Sequence, residues 1–239
     1  MRTILDRDIH RSILLQILKA IYTDTSLGPL LGFKGGTAAH FFYGLPRFSV
    51  DLDFDLLQEA QEDIVFSKMD DILKEFGTIR EKHKKLHTLF FMLSYDDRAQ
   101  NTKVEVNRRS FGSRYELKNY LGISMLVMVK EDMLAHKLAA LIERGKTANR
   151  DIFDVWFFLK NNWPVNRDIV ETRAKMAFRE YLKKCVRFIE SASQRGVLHG
   201  MGELLDEKQK AWVRTNLIKD AAFLLKVRLA QETTILSIR

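Results

Sequence analysis

The chain has 239 residues, 46% of them hydrophobic, which is ample apolar material for one large or two small folded domains. Its apolar runs fall short of the roughly 18 residues that a membrane-spanning helix needs, and its N-terminus lacks the apolar centre of a secretion signal. We therefore expect a cytoplasmic protein with no membrane partner. The single cysteine, Cys185, excludes an internal disulfide and makes a poor metal site.

The net charge of +8 is spread unevenly along the chain. Residues 1–159 contain 23 Lys and Arg against 22 Asp and Glu, whereas residues 160–239 contain 16 against 9. A surplus in the last third favours a polyanionic partner, with nucleic acid the leading candidate. On charge alone, a solvated basic face is an equally good interpretation.

The first half of the chain alternates between helix and strand patterns. Apolar residues at helical spacing, of which Ile9 is the first, predict an amphipathic helix over about 6–23. The stretch "LLGFKGG" predicts a short strand entering a glycine turn, and "TAAHFFYG" predicts a short helix from about Thr37. Strict alternation makes "FSVDLDFDLL" a strand. A helix over about 60–76 and strands at "HTLFFMLSY" and "TKVEVNRRS" follow.

Beyond residue 128 the pattern changes to helices alone. The segments "VKEDMLAHKLAALIERG" and "NRDIFDVWFFLKN" are followed by helical stretches near 166–193 and 206–229. We therefore expect an α+β protein, with an α/β domain built on a mixed sheet over 1–128 and a helical bundle over 129–239.

Asp51, Asp53 and Asp55 share one face of the predicted strand, because side chains alternate faces along a strand. Neighbouring carboxylates would lie about 6.7 Å apart and repel by about 2.5 kcal/mol at an effective dielectric near 20. An edge strand with a wet face would tolerate this repulsion. A cation would offset it, and Mg²⁺ binds through one or two carboxylates plus substrate phosphates. A calcium loop is excluded because Leu56 stands where that loop requires glycine.

The double glycine ahead of the aspartates suits phosphate binding. Gly35 and Gly36 have no Cβ, so their backbone N–H groups can approach a phosphate closely. The positive end of the helix that follows favours negative charge there. Together with the nearby D-x-D strand, the turn indicates a site for phosphate and metal.

The segment "GGTAAHFFYGLPRFSVDLD", residues 35–53, resembles the signature of the AbiEii/AbiGii-type nucleotidyltransferases, which belong to the DNA polymerase β-like superfamily and include the MenT toxins. The resemblance implies a polymerase β-like domain in which Asp51 and Asp53 bind Mg²⁺, with Mn²⁺ as the alternative ion. It also implies a third metal-binding carboxylate on a neighbouring strand, for which Glu105 is the candidate; a solvent-facing glutamate is the alternative. The implied nucleotide-binding residues are Gly35, Gly36, Thr37, Arg47, Ser49 and Lys137.

The resemblance extends into the helical half. The stretch "AHKLAALIERGKTANRDIFDVWFFL" is similar to the later motifs of the family, which would place Lys137 over the triphosphate. Asp151 would orient that lysine or take a proton from the acceptor hydroxyl. Arg144, Arg150 and Asp154 lie close by in sequence. Asp151 in the first turn of a helix is also favoured by the helix dipole alone.

The activity that the resemblance implies is nucleotidyl transfer from a nucleoside triphosphate (NTP). Several relatives act on the 3′ acceptor end of tRNA and block aminoacylation as toxins, so we expect tRNA as acceptor and a cognate antitoxin as partner. The implied catalytic residues are Asp51, Asp53, Lys137 and Asp151.

A basic stripe is the candidate RNA-binding surface, provided that its segment is helical. It consists of residues spaced four apart, with Lys184 beside them, namely Lys175, Arg179, Lys183 and Arg187.

Two alternative functions stay open, namely a small-molecule nucleotidyltransferase of the aminoglycoside type and a non-catalytic nucleotide- or RNA-binding module. The basic last third argues against the first.

Overall fold

The structure, a computed structural model, describes residues 6–96, 101–143, 149–193 and 195–237, with side chains described up to residue 232. The chain divides into two compact units, Met1–Val129 and Lys130–Arg239. The first contains strands and helices, and the described part of the second contains helices without strands.

The described part of the first unit contains three α-helices and a seven-stranded sheet. Its strands lie in the order β3-β4-β5-β2-β1-β7-β6. The pairs β1–β7 and β2–β5 are parallel and the others are antiparallel, so the sheet is mixed, as predicted. The elements are α1 (Arg7–Thr23), β1 (Leu31–Lys34), α2 (Gly35–Tyr43), β2 (Leu52–Leu56), α3 (Glu62–Lys74), β3 (Thr78–Lys85), β4 (Thr88–Ser94), β5 (Thr102–Asn107), β6 (Tyr115–Tyr120) and β7 (Ile123–Met128).

One face of this sheet is apolar and packs against α1 and α3. Phe54 of β2 is fully buried, and its ring centroid lies 6.4 Å from that of Tyr22 in α1. On the same face, Phe91 of β4 lies 5.0 Å from Phe66 of α3, measured between ring centroids. The alternation in β2 therefore directs its aspartates to the opposite face, as predicted.

Helix α1 has the predicted extent but a different buried face at its N-terminal end. Ile9 is 56% exposed, whereas His10 is fully buried. The polar His10 is accommodated because both ring nitrogens have partners, the hydroxyl of Tyr95 and the carbonyl oxygen of Val50. An apolar periodicity could not predict a buried histidine at this position.

Three strands were not predicted, namely β3, β6 and β7. The sequence of β3, "TIREKHKK", is mostly exposed and lacks apolar alternation because the strand lies at one edge of the sheet. The β6–β7 hairpin turns at Leu121 and Gly122, both with positive φ, and a leucine at such a position is an uncommon turn signal.

The second unit has an aromatic core. The rings of Phe158 and Trp163 stack with centroids 4.0 Å apart, and those of Trp156 and Trp212 lie 4.2 Å apart. No helix among the described residues combines the length and the apolarity needed to cross a membrane. The helices are α4 (Lys130–Glu143), α5 (Asn149–Lys160), α6 (Arg167–Ala174), α7 (Phe178–Glu190) and α8 (Glu207–Ser237).

Cys185 of α7 provides a probe of this core. The side chain is fully buried, and burial raises the pKa of its thiol to about 12. We expect a thiol reagent at pH 8 to label the folded protein at least about 100-fold more slowly than the urea-unfolded chain, because only the exposed thiolate reacts. Absorbance of the released chromophore measures the rate, with Cys185→Ala as the blank. Equally fast labelling of folded protein would contradict the packing.

Candidate active site

The glycine turn lies at the junction of β1 and α2. Gly35 is the first residue of α2 and has φ +79, in the left-handed region that favours glycine. A Cβ atom at this position would lie 2.2 Å from Oδ2 of Asp53. The carboxylate of Asp53 therefore lies directly against the backbone of the turn, in space that any side chain at residue 35 would occupy.

The second glycine makes a similar close approach. A Cβ atom on Gly36 would lie 2.6 Å from Nη2 of Arg47 and 2.9 Å from Oγ of Ser49. The Arg47 side chain is buried, and its Nη1 donates to the carbonyl oxygen of Phe48 at 3.0 Å. A buried guanidinium and a hydroxyl thus lie beside the first turn of α2, whose N–H groups and dipole also favour an anion.

Thr37 and Asp51 connect this turn to the strand that follows. Thr37 is buried, and its hydroxyl donates a short hydrogen bond to the carbonyl oxygen of Asp51. The Oδ1 atom of Asp51 accepts from the backbone N–H of Lys103 at 3.3 Å. Asp51 lies just before β2, not within it as predicted, and is held by contacts from α2 and β5.

Glu105 lies beside Asp53 in the sheet. The two residues are register partners in the parallel pair of β2 and β5, so their side chains share a face. Among the residues that the structure describes, no three or more His, Cys, Asp or Glu side chains are gathered closely enough to hold a metal ion. The metal set of Asp51, Asp53 and Glu105 stays a prediction.

Asp55, the third aspartate of the alternating strand, is committed to contacts within the protein. Its Oδ1 lies 2.5 Å from Nζ of Lys34 and 2.6 Å from Nδ2 of Asn107, and its Oδ2 accepts from the hydroxyl of Tyr115. Burial alone would raise the pKa of Asp55, but Lys34 and these two hydrogen bonds hold it below its ordinary value. Asp55 therefore acts as a buried anion that joins β1, β2, β5 and β6.

Lys34, Asn107 and Tyr115 were missed by the sequence analysis. The one available signal was Gly32, since a glycine inside a strand often marks the close approach of another group. A Cβ atom there would lie 2.2 Å from Cε1 of Tyr115. The pattern could indicate a close approach but not the ring that makes it.

His10 is a further missed residue, and it supports the chain just before Asp51. Because a carbonyl oxygen can only accept, Nε2 carries the proton donated to Val50, at 3.0 Å. Nδ1 then accepts from the hydroxyl of Tyr95 at 2.6 Å. Burial lowers the pKa of His10, which outweighs the opposing hydrogen bond to Val50 and the charge of Asp51. A neutral imidazole therefore fixes α1 to the start of the aspartate segment.

The predicted residues of the helical unit form an ion-pair cluster. Nζ of Lys137 in α4 lies 2.8 Å from Oδ1 of Asp151 and 2.8 Å from Oδ2 of Asp154, both in α5. Both aspartates are buried, and the Lys137 side chain is 16% exposed. The structure thus brings Lys137 and Asp151 together, and Asp154 lies at the same distance from the lysine as Asp151 does. Arg144 lies outside the described residues.

The basic stripe is only partly helical. Arg179, Lys183 and Arg187 lie on α7 with Lys184 beside them, but Lys175 is the left-handed C-cap residue of α6, with φ +51. The prediction of one helical stripe through Lys175 is therefore wrong, because α6 ends at Ala174 and a new helix begins at Phe178.

Comparison with known proteins supplies the family. A family model described as nucleotidyl transferase AbiEii toxin, type IV toxin–antitoxin system, matches residues 16–224. The chain belongs to this AbiEii family. The match covers most of both units and confirms the resemblance found in the sequence motifs. No curated protein matches the sequence.

Two solved structures share the fold of this AbiEii protein. A Helicobacter pylori protein described provisionally as a nucleotidyltransferase has a TM-score of 0.58 at 20% identity, with 95% of this chain and 96% of that chain covered. JHP933 from Helicobacter pylori has a TM-score of 0.54 at 21% identity, with 97% of each chain covered. They confirm the predicted α+β nucleotidyltransferase fold with a C-terminal helical region.

The contact between Gly32 and Tyr115 predicts that Gly32→Ala destabilises the native protein but not a protein that lacks the Tyr115 ring. We expect Gly32→Ala to lower the free energy of unfolding by about 1–3 kcal/mol, because the new methyl displaces the ring and breaks its hydrogen bond to Asp55. In a Tyr115→Ala background the same change should be neutral or stabilise by up to about 1 kcal/mol, since it then only restricts the unfolded chain. Urea unfolding of the four proteins measures the cycle. Equal costs in both backgrounds would show that the ring is not responsible.

Proposed function

We propose that this AbiEii protein is a Mg²⁺-dependent nucleotidyltransferase that transfers a nucleotide from an NTP to the 3′ acceptor end of tRNA, thereby blocking aminoacylation as the toxin of a toxin–antitoxin pair. The proposal rests mainly on one observation, the packing of Asp53, Arg47 and Ser49 against the two glycines of the turn. That packing joins the features of a phosphate site and of a metal site in one place.

The glycine turn, Arg47 and Ser49 would bind the triphosphate. Backbone N–H groups of the first turn of α2 and the Arg47 guanidinium are all donors, and a buried cation interacts strongly with phosphate oxygens because little water screens it. These donors lie next to Asp53 and would hold the β- and γ-phosphates, so they would also stabilise the departing pyrophosphate.

The residues present suit a divalent cation. Carboxylate oxygens are ligands that Mg²⁺ prefers, and the missing Cβ of Gly35 lets the carboxylate of Asp53 lie directly against the turn that would bind the phosphates. Asp51 and Asp53 would hold the ion, and Glu105 would supply the third carboxylate. Mg²⁺, or Mn²⁺ in its place, would supply positive charge to the transferring phosphoryl group.

The proposed reaction forms one bond and breaks another at the α-phosphorus. The acceptor hydroxyl oxygen bonds to the α-phosphorus, the bond to the β-phosphate bridging oxygen breaks, and pyrophosphate leaves. The proton of the hydroxyl passes to a carboxylate or to water. The roles of Lys137 and Asp151 stay predictions from the family resemblance, as does the antitoxin partner. The cytoplasmic location stays a prediction from the sequence composition.

A transfer assay tests the proposal directly. Purified protein, Mg²⁺ and total RNA are incubated with each α-labelled NTP in turn, and we expect label in tRNA. Asp53→Asn and Asp51→Asn should each reduce the label by at least about 100-fold, because each removes a carboxylate that would hold the divalent cation. The matched control is Asp63→Asn in α3, whose side chain is 90% exposed and which should retain full activity.

The destination of the label distinguishes the alternatives. Label in a small molecule would contradict an RNA acceptor and favour a small-molecule nucleotidyltransferase. If no NTP gave label in Mg²⁺ or Mn²⁺, the result would favour a non-catalytic binding module. Equal transfer by Asp53→Asn and native protein would contradict the proposed site.

Gly36 offers a separate test of triphosphate binding. We expect Gly36→Ala to weaken binding of a non-hydrolysable NTP by about 10–100-fold, because the methyl would displace Arg47 and Ser49 from the turn. Isothermal titration calorimetry measures the affinity. The control is Gly202→Ala, where the nearest atom to a new Cβ is 3.8 Å away. An unchanged affinity in folded Gly36→Ala protein would exclude Arg47 and Ser49 from nucleotide binding.

A further inference from the structure

The polar face of the sheet continues beyond the aspartates toward β3. Register pairing runs from Asp53 to Glu105 on β5, then to Phe90 on β4 and His83 on β3. Side chains that pair across strands share a face, so all four lie on the same side of the sheet. A continuous path therefore leads from the proposed catalytic carboxylates to the β3 edge.

This path runs away from the glycine turn. Asp53 pairs on its other side with Lys34, and the turn follows at Gly35. In phosphoryl transfer the attacking and leaving oxygens lie roughly in line, on opposite sides of the phosphorus. If the turn holds the departing pyrophosphate, the attacking hydroxyl approaches from the side of β5, β4 and β3.

The path carries an aromatic stack and cations. The imidazole of His83 stacks on Phe90, with ring centroids 6.2 Å apart and planes inclined by 17°, and Nζ of Lys85 lies 4.4 Å from the same ring centroid. His83 is exposed while its cross-strand neighbour Phe90 is buried, so the imidazole is accessible to a ligand. Its Nε2 lies 3.8 Å from Oε2 of Glu81, which shares this face. Lys103, two residues before Glu105 on β5, is also exposed.

The two lysines differ from those on the opposite face of β3. Neither Lys85 nor Lys103 forms an ion pair with a carboxylate in the described part of the chain. On the opposite face, Lys82 pairs with Asp70 at 3.0 Å and Lys84 pairs with Asp63. The cations on the side of the proposed active site are thus the ones available to an external anion.

We propose that His83, Lys85, Phe90 and Lys103 form an acceptor surface that binds the single-stranded 3′ end of the RNA substrate. His83, supported by Phe90, stacks on a base, and Lys85 and Lys103 bind backbone phosphates, which directs the terminal hydroxyl toward Glu105 and Asp53. Stacking on rings together with cations along the backbone is how proteins hold single-stranded nucleic acid. This inference rests on the proposed function for the direction of the strand.

Binding of a short, 5′-fluorescein-labelled single-stranded RNA to the full chain, measured by fluorescence anisotropy without NTP, tests the surface. We expect His83→Ala to raise the Kd about tenfold and His83→Phe to retain near-native affinity, because phenylalanine keeps the stack. Lys85→Gln and Lys103→Gln should each raise the Kd and reduce the salt slope of log affinity by about 0.7, the value for one phosphate contact on a single strand. Lys82→Gln, the same change on the opposite face of β3, is the matched control.

The transfer assay separates this inference from the proposed function. We expect the variants to raise the KM for RNA with the kcat at saturating RNA unchanged. Native affinity and KM in His83→Ala and Lys85→Gln, with transfer to RNA intact, would overturn the acceptor surface and leave the function standing. Absence of RNA binding by the native protein would also overturn the surface. Weakened binding in the variants without any transfer by the native protein would support the surface and contradict the function.

Discussion

The geometry of the candidate site depends on the absence of three Cβ atoms within five residues. Gly32, Gly35 and Gly36 each leave a space that other side chains fill, and these side chains come from β6, β2 and the segment before β2. Only one of the three also has the positive φ that favours glycine. Steric room, more than backbone flexibility, is therefore what these glycines contribute, and the side chains of the site converge because of it.

The alternating aspartates illustrate how like charges are accommodated on one strand. Asp55 is neutralised by a lysine and two hydrogen bonds, Asp51 accepts from a backbone N–H, and Asp53 lies against the turn. Their different surroundings distinguish three residues that look equivalent in the sequence. A buried, fully bonded carboxylate holds the strands together, which leaves its neighbours as candidates for chemistry.

Much of this could be predicted from local pattern, and the rest depends on distant contacts. Period-2 alternation predicted β2 and β5, and helical spacing predicted most of the helices. The family resemblance implied that Glu105 lies on a strand next to that of Asp53, and the two residues are register partners. The buried His10, the ring of Tyr115 and the ion pair of Lys34 were not predictable, because each is explained by a partner at least 20 residues away. The edge strand β3 was missed because solvent on its outer side removes the apolar periodicity. The break at Lys175 was missed because charge spacing alone does not reveal where a helix ends.

Strand β3 has one more consequence, which concerns self-association. An edge strand presents unpaired backbone groups to which another copy of the chain could add, and lysines on such a strand oppose that pairing because two like-charged edges repel. The lysines of the sequence "KHKK" at the end of β3 therefore oppose edge-to-edge pairing between copies of the chain. Substituting these lysines with threonine or valine would improve local strand propensity and yet shorten the lifetime of the protein in concentrated solution.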